Sequence, residues 1–223
     1  MQNPAFGGAE GWFVIEIIRG LRSVQQQIDL LMAQLIALVP DSGDRVAETC
    51  RALTHKPFCV AEQMSVKPYE HLVPGIWLGF SKNTQVQVRQ HVSADTGSAD
   101  GSYGVSISTG PDFQSSWLTM EFLLTRPEIA TKNSLSINVE LSSTVAGHVQ
   151  FAVKSHGREI EPRFTELVKY DIEEGTLQIA DIASLGRSVV GMTEEFHDTR
   201  VLIFLPPLAN ANFTFSCLRL ALL

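Results

Sequence analysis

From about residue 57 the rhythm of the chain changes to period two, an apolar residue at every second position of most of its extended stretches. In "SLSINVEL" (134–141), Leu135, Ile137, Val139 and Leu141 alternate with Ser, Asn and Glu. A period of two places those four side chains on one face of an extended strand, whereas a helix would scatter them around its axis. The same alternation runs through "TQVQVRQHV" (84–92) and "HVQFAV" (148–153). It also lines up Tyr103, Val105 and Ile107 in "SYGVSIS", and Leu118, Met120, Phe122 and Leu124 in "WLTMEFLL". "RVLIFL" (200–205) and "NFTFSCLRLALL" (212–223) are almost wholly apolar, as strands covered on both faces are. Gly-, Pro-, Asn- and Asp-rich stretches such as "STGPD" and "PPLANAN" separate the runs. Strands at this spacing predict a mainly β protein, a β-sandwich of the jelly-roll kind over residues 57–223. "RFTELVKYDIEEG" (163–175) fits either period: Phe164, Leu167 and Val168 suit a helix, and Val168, Tyr170 and Ile172 a strand.

The first 56 residues follow a different rule. Residues 1–11 read as a flexible arm and residues 12–56 as a helical oligomerisation segment. In the long amphipathic helix that opens it, Val14, Leu21, Ile28 and Leu35 fall at seven-residue steps, with Ile17, Val24, Leu31 and Leu38 three residues after each. No polar residue interrupts either row, which is the a/d seam of a coiled coil. The flanking rows (Ile18, Gln25 and Met32; Gly20, Gln27 and Gln34) carry no charge, so salt bridges do not choose the partner. β-Branched residues and leucine are mixed at both seam positions, which favours a homotrimer over a clean dimer. The competing reading lays this stripe across the chain's own β domain. Pro40 ends the helix, and Val46, Cys50 and Leu53 share one face of a short second helix over 45–55.

Charge narrows the partners. A net charge of -7, with no run of Lys or Arg, gives no general attraction to phosphate backbones or anionic lipid. Neither nucleic acid nor a membrane is expected as a partner. The opening residues lack the basic segment of a signal peptide, and Glu10, Glu16 and Arg19 interrupt any spanning helix. The expectation is a cytoplasmic protein, or one carried in a particle or exported by a non-standard route. Cys50, Cys59 and Cys217 make an odd count without metal-site spacing, so buried thiols are expected and no metal or cofactor is implied.

No motif identifies a family or a catalytic machine. His148 and His156 flank one expected strand and share a rim in this reading. The densest titratable group is "TEEFHDTR" (193–200), with His197 and Asp198 at its centre. Aromatic rings carry the other signal, because a flat ring stacks on the apolar face of a sugar. Trp77, Tyr103 and Trp117 are the candidates, together with His197 and Asp198 as polar groups; Phe113 is a further ring in a loop. Trp117 stands out of step with Leu118, Met120 and Phe122, which turns its ring to the opposite face, where a second layer covers it (the more frequent case) or it is exposed for binding. Three functions remain: a non-catalytic sandwich that binds a glycan or protein surface and is displayed as an oligomer; an assembly protein without a small ligand; and a polysaccharide-acting enzyme built around 194–200.

Overall fold

The computed structural model describes residues 45–55, 63–82, 84–92, 103–124, 132–156, 162–185 and 198–223. The arm, the heptad rows from Val14 to Leu38, Cys59 and His197 lie outside the described residues. Residues 43–223 make one compact unit.

One helix, α1 (Arg45–His55), precedes three short strands, β1 (Met64–Val66), β2 (His71–Val73) and β3 (Ile76–Gly79). Longer strands follow: β4 (Val86–Val92), β5 (Tyr103–Thr109), β6 (Leu118–Leu124), β7 (Ser134–Ser143) and β8 (Gly147–His156). The chain closes with β9 (Arg163–Ile172), β10 (Gly175–Ser184), β11 (Asp198–Leu205) and β12 (Asn212–Leu222). Every pairing is antiparallel. The first sheet runs β1-β4-β5-β12-β7-β10 and the second β2-β3-β6-β11-β8-β9. From β5 to β12 the chain changes sheet between most successive strands, and the neighbours β5-β12-β7-β10 and β6-β11-β8-β9 have the order of two Greek keys wrapped into a jelly roll.

The alternation sets the layers. Leu135, Ile137, Val139 and Leu141 of β7 meet Met120, Phe122, Phe151, Val201 and Ile203 of the facing sheet in one apolar core. The ambiguous 163–175 stretch is strand β9, paired with β8 through a register shift at Phe151/Ala152. The shift explains the mixed pattern, because a bulge puts consecutive residues on one side.

Helix α1 packs with this body. Val46, Cys50 and Leu53 are buried in the same core. Strand β5 pairs with β12 only over Asn212–Phe215, and α1 lies beside Leu218–Ala221, where β5 no longer runs. A cavity of about 340 Å3 between them is lined by Cys50, Thr54, Leu218 and Leu220 among others. Cys50 is buried; Cys217, expected in the core, is half-buried beside a register shift. Among the described residues no helix is long and apolar enough to cross a membrane, and no group of three or more His, Cys, Asp or Glu is placed to hold a metal ion.

Candidate functional site

On the second sheet, inward packing decides what points out. Ile76 and Leu78 are buried in the core, so Trp77 between them faces outward. Leu118, Met120 and Phe122 do the same for Thr119 and Glu121, and Val201 and Ile203 for Arg200 and Leu202. Register then places Trp77 opposite Glu121 across β3 and β6, and Glu121 opposite Leu202 across β6 and β11. Arg200, opposite Leu123, reaches Glu121 on the diagonal.

These groups form one connected assembly. The Arg200 guanidinium donates from Nη1 to Glu121 Oε2 at 2.8 Å, with the two side chains 19% and 3% exposed. The other oxygen, Glu121 Oε1, accepts from the Thr119 hydroxyl at 3.1 Å. Both oxygens of this buried carboxylate are thus engaged, as burial of a polar group requires. The guanidinium carbon lies 4.3 Å from the ring centre of Trp77, a cation–π stack that keeps it planar against the sheet. On its other flank the Trp77 indole N–H donates to His71 Nε2 at 2.8 Å, which requires that nitrogen to carry no proton. Trp77 is therefore a pedestal held between His71 and Arg200.

The exposed rings stand beside it. Tyr69 is 46% and Trp117 37% exposed, and the Trp117 side chain acts on the Tyr69 phenol to lower its pKa, against the larger effects below. Tyr69 occupies the third place of a Pro68-Tyr69 turn, closed by the Glu70 amide donating to the Lys67 carbonyl at 3.0 Å. Its φ is 59°, a left-handed conformation that this turn normally reserves for glycine. The Pro74-Gly75 turn between β2 and β3 makes the contrast, with Gly75 at φ 87°. Tyr69 is tied down by its amide, which donates to the Leu78 carbonyl at 2.8 Å, and its ring lies over Gly79. A Cβ on Gly79 would come within 3.3 Å of Tyr69 Cε1, 2.7 Å of Glu121 Oε1 and 2.4 Å of Thr119 Oγ1. Burial first, and the Glu121 charge second, raise the phenol's pKa above the ordinary tyrosine value. Tyr69 therefore stays a neutral hydroxyl at physiological pH.

No protein-family model matches the chain, and no curated protein matches it. Its similarities are to solved structures. A xylan-binding domain of carbohydrate-binding family 22 from Paenibacillus barcinonensis is 10% identical, over 71% of this chain and 92% of that one, with a TM-score of 0.44. A family 11 carbohydrate-binding module from Clostridium thermocellum, solved with a mixed-linked tetrasaccharide, is 11% identical over 74% and 97%, with a TM-score of 0.40. The enzymatically active domain of a bacteriophage CBA120 tailspike is 7% identical, over 77% of this chain but 21% of that one, with a TM-score of 0.41. These likenesses are distant, and none assigns a residue of this chain.

Of the residues picked out by sequence, Trp77 and Trp117 share the outer face of the second sheet. Tyr103 is elsewhere: it begins β5 in the first sheet, opposite Val92. Asp198 pairs with His156 at the far end of β11 from Leu205, the residue beside Leu118. Seven residues of strand separate those ends by about 23 Å, so Asp198 and Trp117 are not brought together. His148 and His156 sit at opposite ends of β8, and His148 is bound to Asp171 at 2.6 Å. Phe113 is buried. Among outward carboxylates in the Trp77 row, Glu166 is three strands from Glu121. At about 14 Å that exceeds the spacing of a glycosidase carboxylate pair.

Sequence reading passed over Tyr69, His71 and Glu121 as site residues, and took Arg200 only as a member of the 193–200 polar group. Glu121 carried a legible signal, since a lone charge inside "LTMEFLL" needs a buried partner. Nothing along the chain named Arg200 as that partner.

Proposed function

We propose that the protein is a non-catalytic β-sandwich module that binds a glycan on the outer face of its second sheet. The observation that carries this reading is the Tyr69–Trp117 pair of exposed rings, set beside a buried Glu121–Arg200 pair stacked on Trp77. Tyr69 and Trp117 offer faces for the C–H side of a sugar ring. Arg200, His71 and the Tyr69 hydroxyl supply polar groups for its hydroxyls. Anchored polar groups beside aromatic surface are the usual makings of a small-ligand site. The strained Tyr69 backbone supports the same reading, because such conformations concentrate at binding sites.

The display expected from sequence belongs to this proposal. The uninterrupted rows Val14, Leu21, Ile28, Leu35 and Ile17, Val24, Leu31, Leu38 would gather several copies, a trimer first, and linked sites turn weak contacts into firm ones.

The deciding experiment is a glycan array with the full chain, followed by calorimetry on any hit with Trp117→Ala. Binding that falls at least tenfold, with thermal stability kept because Trp117 is partly exposed, supports the reading. A blank array, or a hit indifferent to Trp117→Ala, refutes it. Light scattering with and without residues 1–40 tests the display; the same monomer mass in both removes it.

A further inference from the structure

We propose that two copies of this protein pair edge to edge through strand β10, joining their first sheets into one. The inference is independent of the glycan reading and of the heptad rows.

The last strand of a sheet presents a row of N–H and C=O groups without a neighbouring strand, and such edges recruit other chains unless something blunts them. Three of the four edges here are blunted. β1 and β2 are three residues long, and the pairing of β2 is irregular between His71 and Val73. β9 is broken by the register shift at Phe151/Ala152 and carries the charges Arg163, Glu166, Lys169 and Asp171. β10 has neither protection. It pairs with β7 in an unbroken register, from Gly175 opposite Ser143 to Ser184 opposite Ser134. It contains no proline and a single charge, Asp181.

The hydrogen bonds show which groups of that edge are open. The Ser134 amide donates to the Leu223 carbonyl and the Thr144 amide to the Asn212 carbonyl, so the even-numbered residues of β7 bond toward β12. Its odd-numbered residues bond toward β10, where they face Leu177, Ile179 and Asp181. The amides and carbonyls of Thr176, Gln178 and Ala180 therefore point away from the sheet. Ile182 has the same parity, and its amide donates to Asp181 Oδ1 of its own strand at 2.7 Å. Among the described residues nothing bonds to the open backbone groups of Thr176, Gln178 and Ala180.

These three residues fit a second copy of themselves. With Gln178 opposite Gln178, Thr176 of one copy meets Ala180 of the other, and each such pair exchanges two backbone hydrogen bonds. This register uses all three open residues and leaves the Ile182 amide with Asp181; a slip toward Ile182 would take that amide away. Asp181 then lies opposite Gly175, and the two Asp181 carboxylates stand about 20 Å apart, too far to repel through salt solution. Thr176, Gln178 and Ala180 are uncharged, so a protein of net charge -7 meets its copy along a neutral strip. The contact is twofold and closed, because one patch serves both copies.

The test is light scattering on the full chain, native and with Ala180→Lys or Gln178→Pro. Lysine puts a charge on the strip, and proline removes an amide that the fold of a single copy does not use. The mass should fall at least twofold in both variants, with the circular-dichroism spectrum retained. Hydrogen exchange is the second readout: the Thr176 and Gln178 amides should be protected in the native protein and exchange rapidly in Ala180→Lys. One mass for all three proteins overturns the proposal. So does a fall in mass that leaves exchange along β10 unchanged, since the contact then lies elsewhere.

Discussion

Arg200 lies flat on Trp77, its guanidinium carbon 4.3 Å from the ring centre, while the same guanidinium holds the buried Glu121 at 2.8 Å. One side chain therefore settles a charge in the sheet and orients a ring on its surface. Arg200→Ala should lower stability by about 3 kcal/mol, because it strands a buried carboxylate. Adding Glu121→Gln should return more than half of that loss. Urea unfolding of the two single variants and the double variant measures the coupling; additive effects would mean that the pair does not act as a unit.

Tyr69 holds a conformation suited to glycine, and for a non-glycine residue this costs about 1–2 kcal/mol. Its ring is partly exposed, so Tyr69→Gly should leave stability level or slightly raised while glycan binding drops at least tenfold. A gain in stability with unchanged binding would remove Tyr69 from the site.

Gly79 gives the Tyr69 ring and the Glu121 carboxylate their room. Gly79→Ala introduces a Cβ 2.4 Å from Thr119 Oγ1 and 2.7 Å from Glu121 Oε1. Overpacking of this kind costs about 1–3 kcal/mol. A lowered thermal midpoint and weakened binding should appear together; a variant with native melting and native binding would mean that the outer face yields easily.

At the opposite edge of the same sheet, the Tyr170 hydroxyl donates to Asp181 Oδ2 at 2.5 Å and links edge strand β9 to edge strand β10. Burial and this bond raise the Tyr170 pKa, and the bond lowers that of Asp181. A raised phenol contributes stability that is complete below the unfolded tyrosine value of about 10 and is lost as pH climbs past it. A lowered carboxylate contributes stability that is complete above the unfolded aspartate value of about 3.9 and is lost as pH falls below it. Tyr170→Phe should therefore flatten the alkaline limb of a stability-versus-pH curve above pH 10, read as urea midpoints. An alkaline limb identical to that of the native protein would contradict the role given to this bond.

The strands were legible to different degrees, for physical reasons. β7, expected over 134–141 and found as Ser134–Ser143, has one face in the core and one in solvent, so burial writes itself as alternation. β1, β2 and β3 are three or four residues long, too short for a period to show. β10 hides for another reason: it is an edge strand in which exposed Asp181 takes a place in the row of Ile179 and Ala183 and meets Tyr170, so "GTLQIADIAS" breaks the pattern. The site was half legible. Trp117 betrayed itself by standing out of step, whereas Tyr69 lies in a turn that its neighbours would assign to glycine.

What the sequence determined by itself was the β class, the face that β4 to β8 turn to the core, and the turn of Trp117 away from that face. These depend on neighbours two residues away, and the chain states them directly. Only the tertiary structure decided that Tyr69, Trp77, Trp117, Glu121 and Arg200 meet and that Tyr103 and Asp198 stand apart. Partnership across a sheet is fixed by strand order and register between segments far apart in the chain, and period two is the same whichever strand lies alongside.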